Sequence, residues 1–168
     1  MHKYRCYNGA MATTAAQAKV TTGTAIKTML QVATPATRQI QILEWGYSLD
    51  VFSTATGQVE LLETDVAATV TAHVAAGVQP LTPGQPASLV TLSTTATGYT
   101  SSSENTVTAS RTFDAQQVLE DAPAANNSYT RSFIPGLDAP IVAVSKFLRI
   151  RCTFTVAASM TCWIMWDE

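Results

Sequence analysis

The side chains able to do chemistry are few and scattered. The chain has two histidines, His2 and His73, and three cysteines, Cys6, Cys152 and Cys162. A metal site, nucleophile or acid–base pair needs such groups to converge. No C-x-x-C spacing, H-E-x-x-H pair, G-x-S-x-G elbow, phosphate loop or dinucleotide-binding glycine pattern brings them together. His73, beside Thr71, reads as an ordinary side chain rather than a base or a ligand. Glu60, Glu63 and Asp65 place carboxylates where Ca²⁺ could be held, but a solvated strand end is the simpler reading. Glu120–Asp121 and Asp167–Glu168 read the same way. The tripeptide Asn126-Asn127-Ser128 fits a glycosylation acceptor, which carries weight only in a secreted chain. No residue is therefore assigned a catalytic, cofactor-binding or metal-binding role, no cofactor is expected, and the chain reads as a binding protein rather than an enzyme.

The residues with more to offer are those suited to contacts. Arg149 and Arg151 stand two apart on one face of a strand, just after Lys146; that face is either solvated or a charged contact with a partner. Trp163 and Met165 share one parity of the last strand, and Cys162, Ile164 and Trp166 the other. A strand apolar on both faces is either covered on both sides or part of an interface between subunits. Near the N-terminus, Lys3, Tyr4, Arg5 and Tyr7 form a basic, aromatic group suited to docking on an acidic partner, with a free, disordered segment as the alternative. These nine residues, Lys3, Tyr4, Arg5, Tyr7, Arg149, Arg151, Trp163, Met165 and Trp166, are the candidate interface.

The elements that must position them are β-strands. The chain has 168 residues, and charged residues make up 13%, about half the usual share of roughly 25%. Threonine, β-branched and suited to a pleated surface, replaces charge as the soluble face of strands. A net charge of −2 argues against a nucleic-acid partner, and no apolar run is long enough to span a membrane. One domain is the natural count at this length. The odd number of cysteines fits reduced thiols in apolar surroundings.

Residues 1–23 show no sustained period and read as an extended arm, with 1–10 either a start-site extension ahead of Met11 or a genuine arm. Removing the arm is expected to leave the domain folded and weaken its attachment to a partner. From Thr24 the pattern is period two. Ile26, Thr28, Leu30 and Val32 alternate with Lys27, Met29 and Gln31. In Gln39–Phe52 the apolar parity switches from Ile40 and Ile42 to Leu43, Trp45, Tyr47, Leu49 and Val51, as a β-bulge near Gly46 would produce. Further strands are expected in Gln58–Thr64, Thr69–His73, Leu89–Leu92, Thr106–Leu119, Ser128–Ile134, Phe147–Val156 and Met160–Trp166. That makes about eight strands and no long helix, which read as an antiparallel β-sandwich or barrel over residues 24–168.

The stretch TTGTAIKTMLQVATPATRQIQILEWGYSLD (21–50), then VELLETDVAATVTAHVAAGVQP (59–80), ASLVTLSTTATGYT (87–100), SRTFDAQQV (110–118) and FLRIRCTFTVAASMTCWIMWDE (147–168), resembles small virion structural proteins of tailed bacteriophages, especially those infecting actinobacteria. The resemblance covers nearly everything from Met11 to the C-terminus and leaves Met1–Ala10 outside it. It implies a jelly-roll-like minor capsid or decoration protein on the outer capsid surface, assembled in the host bacterial cytoplasm. Its implied partners are the major capsid protein and further copies of itself, with a trimer favoured. A tail- or fibre-associated module binding host glycan is the alternative, with Tyr99 and the tryptophans stacking on sugar. A cupin-like enzyme would need more histidine and carboxylate ligands than this chain gathers.

Overall fold

The computed structural model describes residues 2–11, 15–50, 56–119 and 128–168. Alternation of apolar and polar residues becomes strand wherever it persists. β3 (Lys27–Ala33), β4 (Ile40–Leu49), β5 (Gly57–Thr64), β9 (Ser110–Val118), β10 (Ser128–Ser132), β12 (Phe147–Phe154) and β13 (Ser159–Asp167) follow the expected runs. Between and before them lie shorter pieces: β1 (Lys3–Tyr7), β2 (Val20–Thr21), β6 (Thr69–Ala72), β7 (Val78–Pro80), β8 (Gly98–Ser103) and β11 (Ile141–Val142). The described residues therefore hold thirteen strands rather than about eight. β6 matches the strand expected at Thr69–His73, and the excess is β1, β2, β7, β8 and β11, pieces of two to six residues, too short to show a period of their own. Leu89–Leu92 is not a strand; Leu92 makes only an isolated bridge to Thr97.

The strands form two antiparallel sheets that pack as a sandwich. The seven-stranded sheet runs β10-β4-β13-β1-β7, with β11 against β4 and β2 against β13. The six-stranded sheet runs β6-β8-β3-β12-β5-β9. Inward side chains of both sheets make one core. Trp45, Tyr47, Cys162, Ile164 and Trp166 come from one side, and Leu30, Val59, Leu61, Leu148, Ile150 and Phe154 from the other. The parity switch in β4 is a bulge. Met165 pairs with Glu44 and Trp166 with Ile42, so Leu43 has no opposite residue on β13. The extra residue lets Ile42 and Trp45, three apart, both point into the core.

The N-terminal segment departs most from expectation. Residues 3–7 are not an arm beside the sandwich; β1 lies inside the sheet, paired with β13 along Lys3–Tyr7 and with β7 along Tyr4–Cys6. Asn8 extends the pairing: its backbone N–H donates to the Cys162 carbonyl and its side chain bonds Cys162 N–H and the Met160 carbonyl. β2 then takes up the same edge of β13 at Ser159–Met160. The physical reason is a short alternation, with Tyr4 and Cys6 pointing in and Lys3, Arg5 and Tyr7 pointing out. β13 is flanked on both sides, so its inner parity is core.

The outer face of the six-stranded sheet is partly covered by the chain itself. In β3 every residue from Thr28 to Ala33 is buried, not one parity alone. Gln31, on that face, donates to the Ala96 carbonyl at 2.5 Å and accepts from Ala68 N–H at 2.8 Å.

Candidate functional site

The nine candidate interface residues separate into three places. Tyr4 and Trp166 are core residues, 1% and 0% exposed, with rings 6.0 Å apart. Their candidacy as contact residues is corrected by the sandwich, which fills their parity with its own interior. Arg149 is likewise fully buried. It is neither solvated nor free for a partner, because the chain around Val66 and Glu104 folds over it. Its guanidinium donates to the Val66 carbonyl, to the Glu104 carbonyl at 3.4 Å and to the Glu104 carboxylate at 3.3 Å. Glu104 in turn accepts from Thr28 N–H at 2.5 Å and Thr28 Oγ1 at 2.6 Å, and also from Ser101 Oγ. Burial lowers the Arg149 pKa, and the Glu104 carboxylate opposes that shift. Arg151, two residues on, is half-exposed and grips Glu60 through Nε at 3.1 Å and Nη2 at 3.0 Å.

The remaining five come together on the outer face of the seven-stranded sheet. The register aligns Arg5, Met165, Glu44 and Ser132 in one row across β1, β13, β4 and β10. A second row holds Tyr7, Trp163, Gly46 and Thr130. Lys3 is exposed at the edge of this surface, while Arg5, Tyr7, Trp163 and Met165 are half-exposed. The rows are tied to each other. Trp163 Nε1–H donates to Glu44 Oε1 at 2.9 Å, Arg5 approaches the same oxygen at 3.4 Å, and Ser132 Oγ donates to Oε2 at 3.2 Å. Arg5 also lies 3.7 Å from the Met165 sulfur, and the Tyr7 and Trp163 rings are 6.2 Å apart. The indole lies across Gly46, where a Cβ would stand 2.5 Å from Trp163 Cζ2 and 2.6 Å from the Tyr129 carbonyl. Only glycine admits the ring there.

Sequence reading missed Glu44, Gly46 and Ser132. The signal for the first two was a lone carboxylate and a glycine inside the apolar run ILEWGY. Ser132 carries no signal without the register.

Several of the groups considered for chemistry are committed to structural bonds. Glu60 serves Arg151, Glu63 pairs with Arg111 at 2.8 Å, and Asp65 accepts from Thr108 and Ala109. The bond from Thr108, with those from Ala109 and Thr108 N–H, holds the Asp65 pKa down to about 2. Among the described residues no group of three His, Cys, Asp or Glu could hold a metal ion. Glu168 accepts from Ser88 Oγ at 3.1 Å and Leu89 N–H at 2.8 Å. His73 is buried, its Nε2 2.7 Å from the Tyr7 carbonyl, and its ring is 4.8 Å from Tyr99, which itself packs against the core. Burial lowers the His73 pKa. All three cysteines are free and buried; burial raises their pKa values, that of Cys152 to about 12. Glu120–Asp121 and Asn126-Asn127 lie outside the described residues.

At the open side of the sandwich the Asp114 carboxylate receives Trp45 Nε1–H at 3.1 Å, the Tyr129 hydroxyl at 2.8 Å and the Gln116 amide at 2.9 Å. It thereby joins the two sheets. Burial pushes its pKa up, but these bonds outweigh burial and leave it lowered.

The surface assembled by these elements is thus an aromatic, methionine-containing sheet face on which Arg5, Trp163 and Ser132 share the Glu44 carboxylate. No family model, curated protein or solved structure matches the chain.

Proposed function

We propose that the chain is a virion structural protein of a tailed bacteriophage, a capsid decoration or minor capsid protein that binds and reinforces the major capsid lattice. The observation that carries the reading is the strand connectivity. Eight of the strands, β1, β3, β4, β5, β9, β10, β12 and β13, give the order β1-β13-β4-β10 in one sheet and β3-β12-β5-β9 in the other. The chain crosses between the sheets at nearly every step of that series. We read that order as the double Greek key of a jelly roll, an architecture that capsid proteins use widely.

In this reading the outer face of the seven-stranded sheet is the docking face. Trp, Tyr, Met and Arg are the residue types enriched at interfaces, and Tyr7, Trp163, Met165 and Arg5 present all four. The role is binding, without a catalytic step. Repetition over a lattice makes modest single contacts durable, and a homotrimer on a local three-fold axis of the outer capsid surface satisfies closed symmetry. Assembly in the bacterial cytoplasm keeps the buried thiols reduced.

Reconstruction of purified virions tests the proposal. Density for this sandwich on the head lattice, with Trp163 at the contact, is the expected result. A head lattice that lacks the chain overturns it.

A further inference from the structure

On the opposite sheet, the ends of β5, β9 and β12 border an open groove of about 420 Å³, within the size range of small-molecule sites. Among the described residues that line it, none is charged. The floor is a single row of the pleat: Thr153 on β12, Gln58 on β5 and Gln117 on β9 stand directly opposite one another. Thr153 and Gln117 are exposed and Gln58 is half-exposed. Each of these side chains both donates and accepts hydrogen bonds.

The groove is held in shape from two sides. At its rim Thr155 N–H donates to the Thr56 carbonyl at 2.9 Å, and Thr56 N–H donates to Thr155 Oγ1 at 3.1 Å. Beside the floor Gly57 lets the Phe154 ring lie against bare backbone, where a Cβ would be 2.4 Å from Cδ1. The next row of the sheet does hold charge, but Arg151 and Glu60 close on each other there.

We propose that this groove is a binding site for a neutral saccharide. Among the described lining residues, anionic ligands such as phosphates, and cationic ones such as amines, find no counter-charge. A ligand covered in hydroxyl groups matches side chains that donate and accept at once. Specificity would come from the two amides, which bond adjacent hydroxyls across the row. The proposal concerns a face distinct from the docking surface and does not depend on the chain's place in a particle.

The test uses the full chain in amide NMR titrations. The probes are neutral trisaccharides of glucose, mannose, galactose and N-acetylglucosamine, with a sulfated and a sialylated oligosaccharide as charged counterparts. Saturable shifts at residues 57–58, 117 and 153–155 with at least one neutral trisaccharide support the site. The double variant Gln58→Ala, Gln117→Ala is then expected to weaken binding about tenfold or more through lost hydrogen bonds, with its melting temperature unchanged. Trp163→Ala, on the other sheet, is expected to leave binding intact. The proposal is overturned if no neutral probe shifts these residues, if only the charged probes bind, or if Trp163→Ala abolishes binding that the double glutamine variant retains.

Discussion

Tyr4 is the residue on which the sandwich reading of the N-terminus can be tested most sharply. It is 1% exposed, sits in a strand paired on both edges, packs 6.0 Å from Trp166, and donates its hydroxyl to the Pro86 carbonyl at 2.9 Å. Tyr4→Ala removes a core aromatic, which costs about 3–5 kcal/mol, and strips a partner from the Pro86 carbonyl, about 1 kcal/mol more. At about 2–4 °C per kcal/mol for a domain of this size, the melting temperature falls by roughly 8–24 °C. Tyr4→Phe keeps the ring and loses only the hydroxyl bond, so it falls by about 2–4 °C. A chain beginning at Met11 loses Tyr4, Cys6, both hydrogen-bonded ladders of β1 and the Asn8 bonds together. That exceeds what a domain with about 5–15 kcal/mol of total stability tolerates, so it is expected not to fold. Thermal unfolding followed by circular dichroism reads all three. A chain from Met11 that folds and melts like the full chain would show that β1 is an appendage after all, and would restore the arm.

Four other outcomes follow from the same geometry. Arg149→Ala breaks a buried ion pair and is expected to cost about 3–5 kcal/mol, whereas Arg151→Ala, half-exposed, costs at most about 1 kcal/mol; equal losses in chemical denaturation would contradict the burial of Arg149. Gly46→Ala forces a Cβ into the indole of Trp163 and is expected to destabilise by about 1–3 kcal/mol while changing tryptophan fluorescence. Trp166→Ala is expected to cost about 3–5 kcal/mol, while Trp163→Ala leaves the core in place and mainly alters the sheet face, so the reverse order of melting temperatures would invert the assigned parity. His73 is neutral in the fold because burial lowers its pKa below 6.5. Its contribution is therefore complete above that value and is lost as pH falls through the lower folded value. A urea series from neutral to mildly acidic pH is expected to show declining stability for the native chain and a flatter profile for His73→Asn.

Strands long enough to alternate were legible from the residues alone. Leu148, Ile150, Cys152 and Phe154 are all buried in β12 as their parity required, and the switch from Ile42 to Trp45 is a bulge in the register of β4. β1 carried the same period, but over too few residues to stand out from a segment without one. Its place was decided by β13 and β7, which lie far along the chain. Arg149 was misread for a related reason. Alternation assigns a residue to a face, but it is silent on what lies over that face, and here the covering chain around Val66 and Glu104 comes from distant sequence.

The two sheet faces illustrate how that limit bears on function. Arg149 and Arg151 share one face and differ by two positions, yet one is fully buried and the other half-exposed. Trp163 and Trp166 share one strand, but only Trp163 reaches the surface. In both pairs residue type suggested a contact, and cover and parity decide which member can make one. On the seven-stranded sheet parity turns Trp163 outward, and Gly46 leaves room for its indole. A side chain there would push the indole out of its seat over the bare backbone, strain its bond to Glu44 and change the shape of the face. A partner that reads this face should therefore lose affinity on Gly46→Ala even where the sandwich stays folded. If the chain does bind a head lattice as proposed and that binding is indifferent to the change, the proposed docking face is wrong.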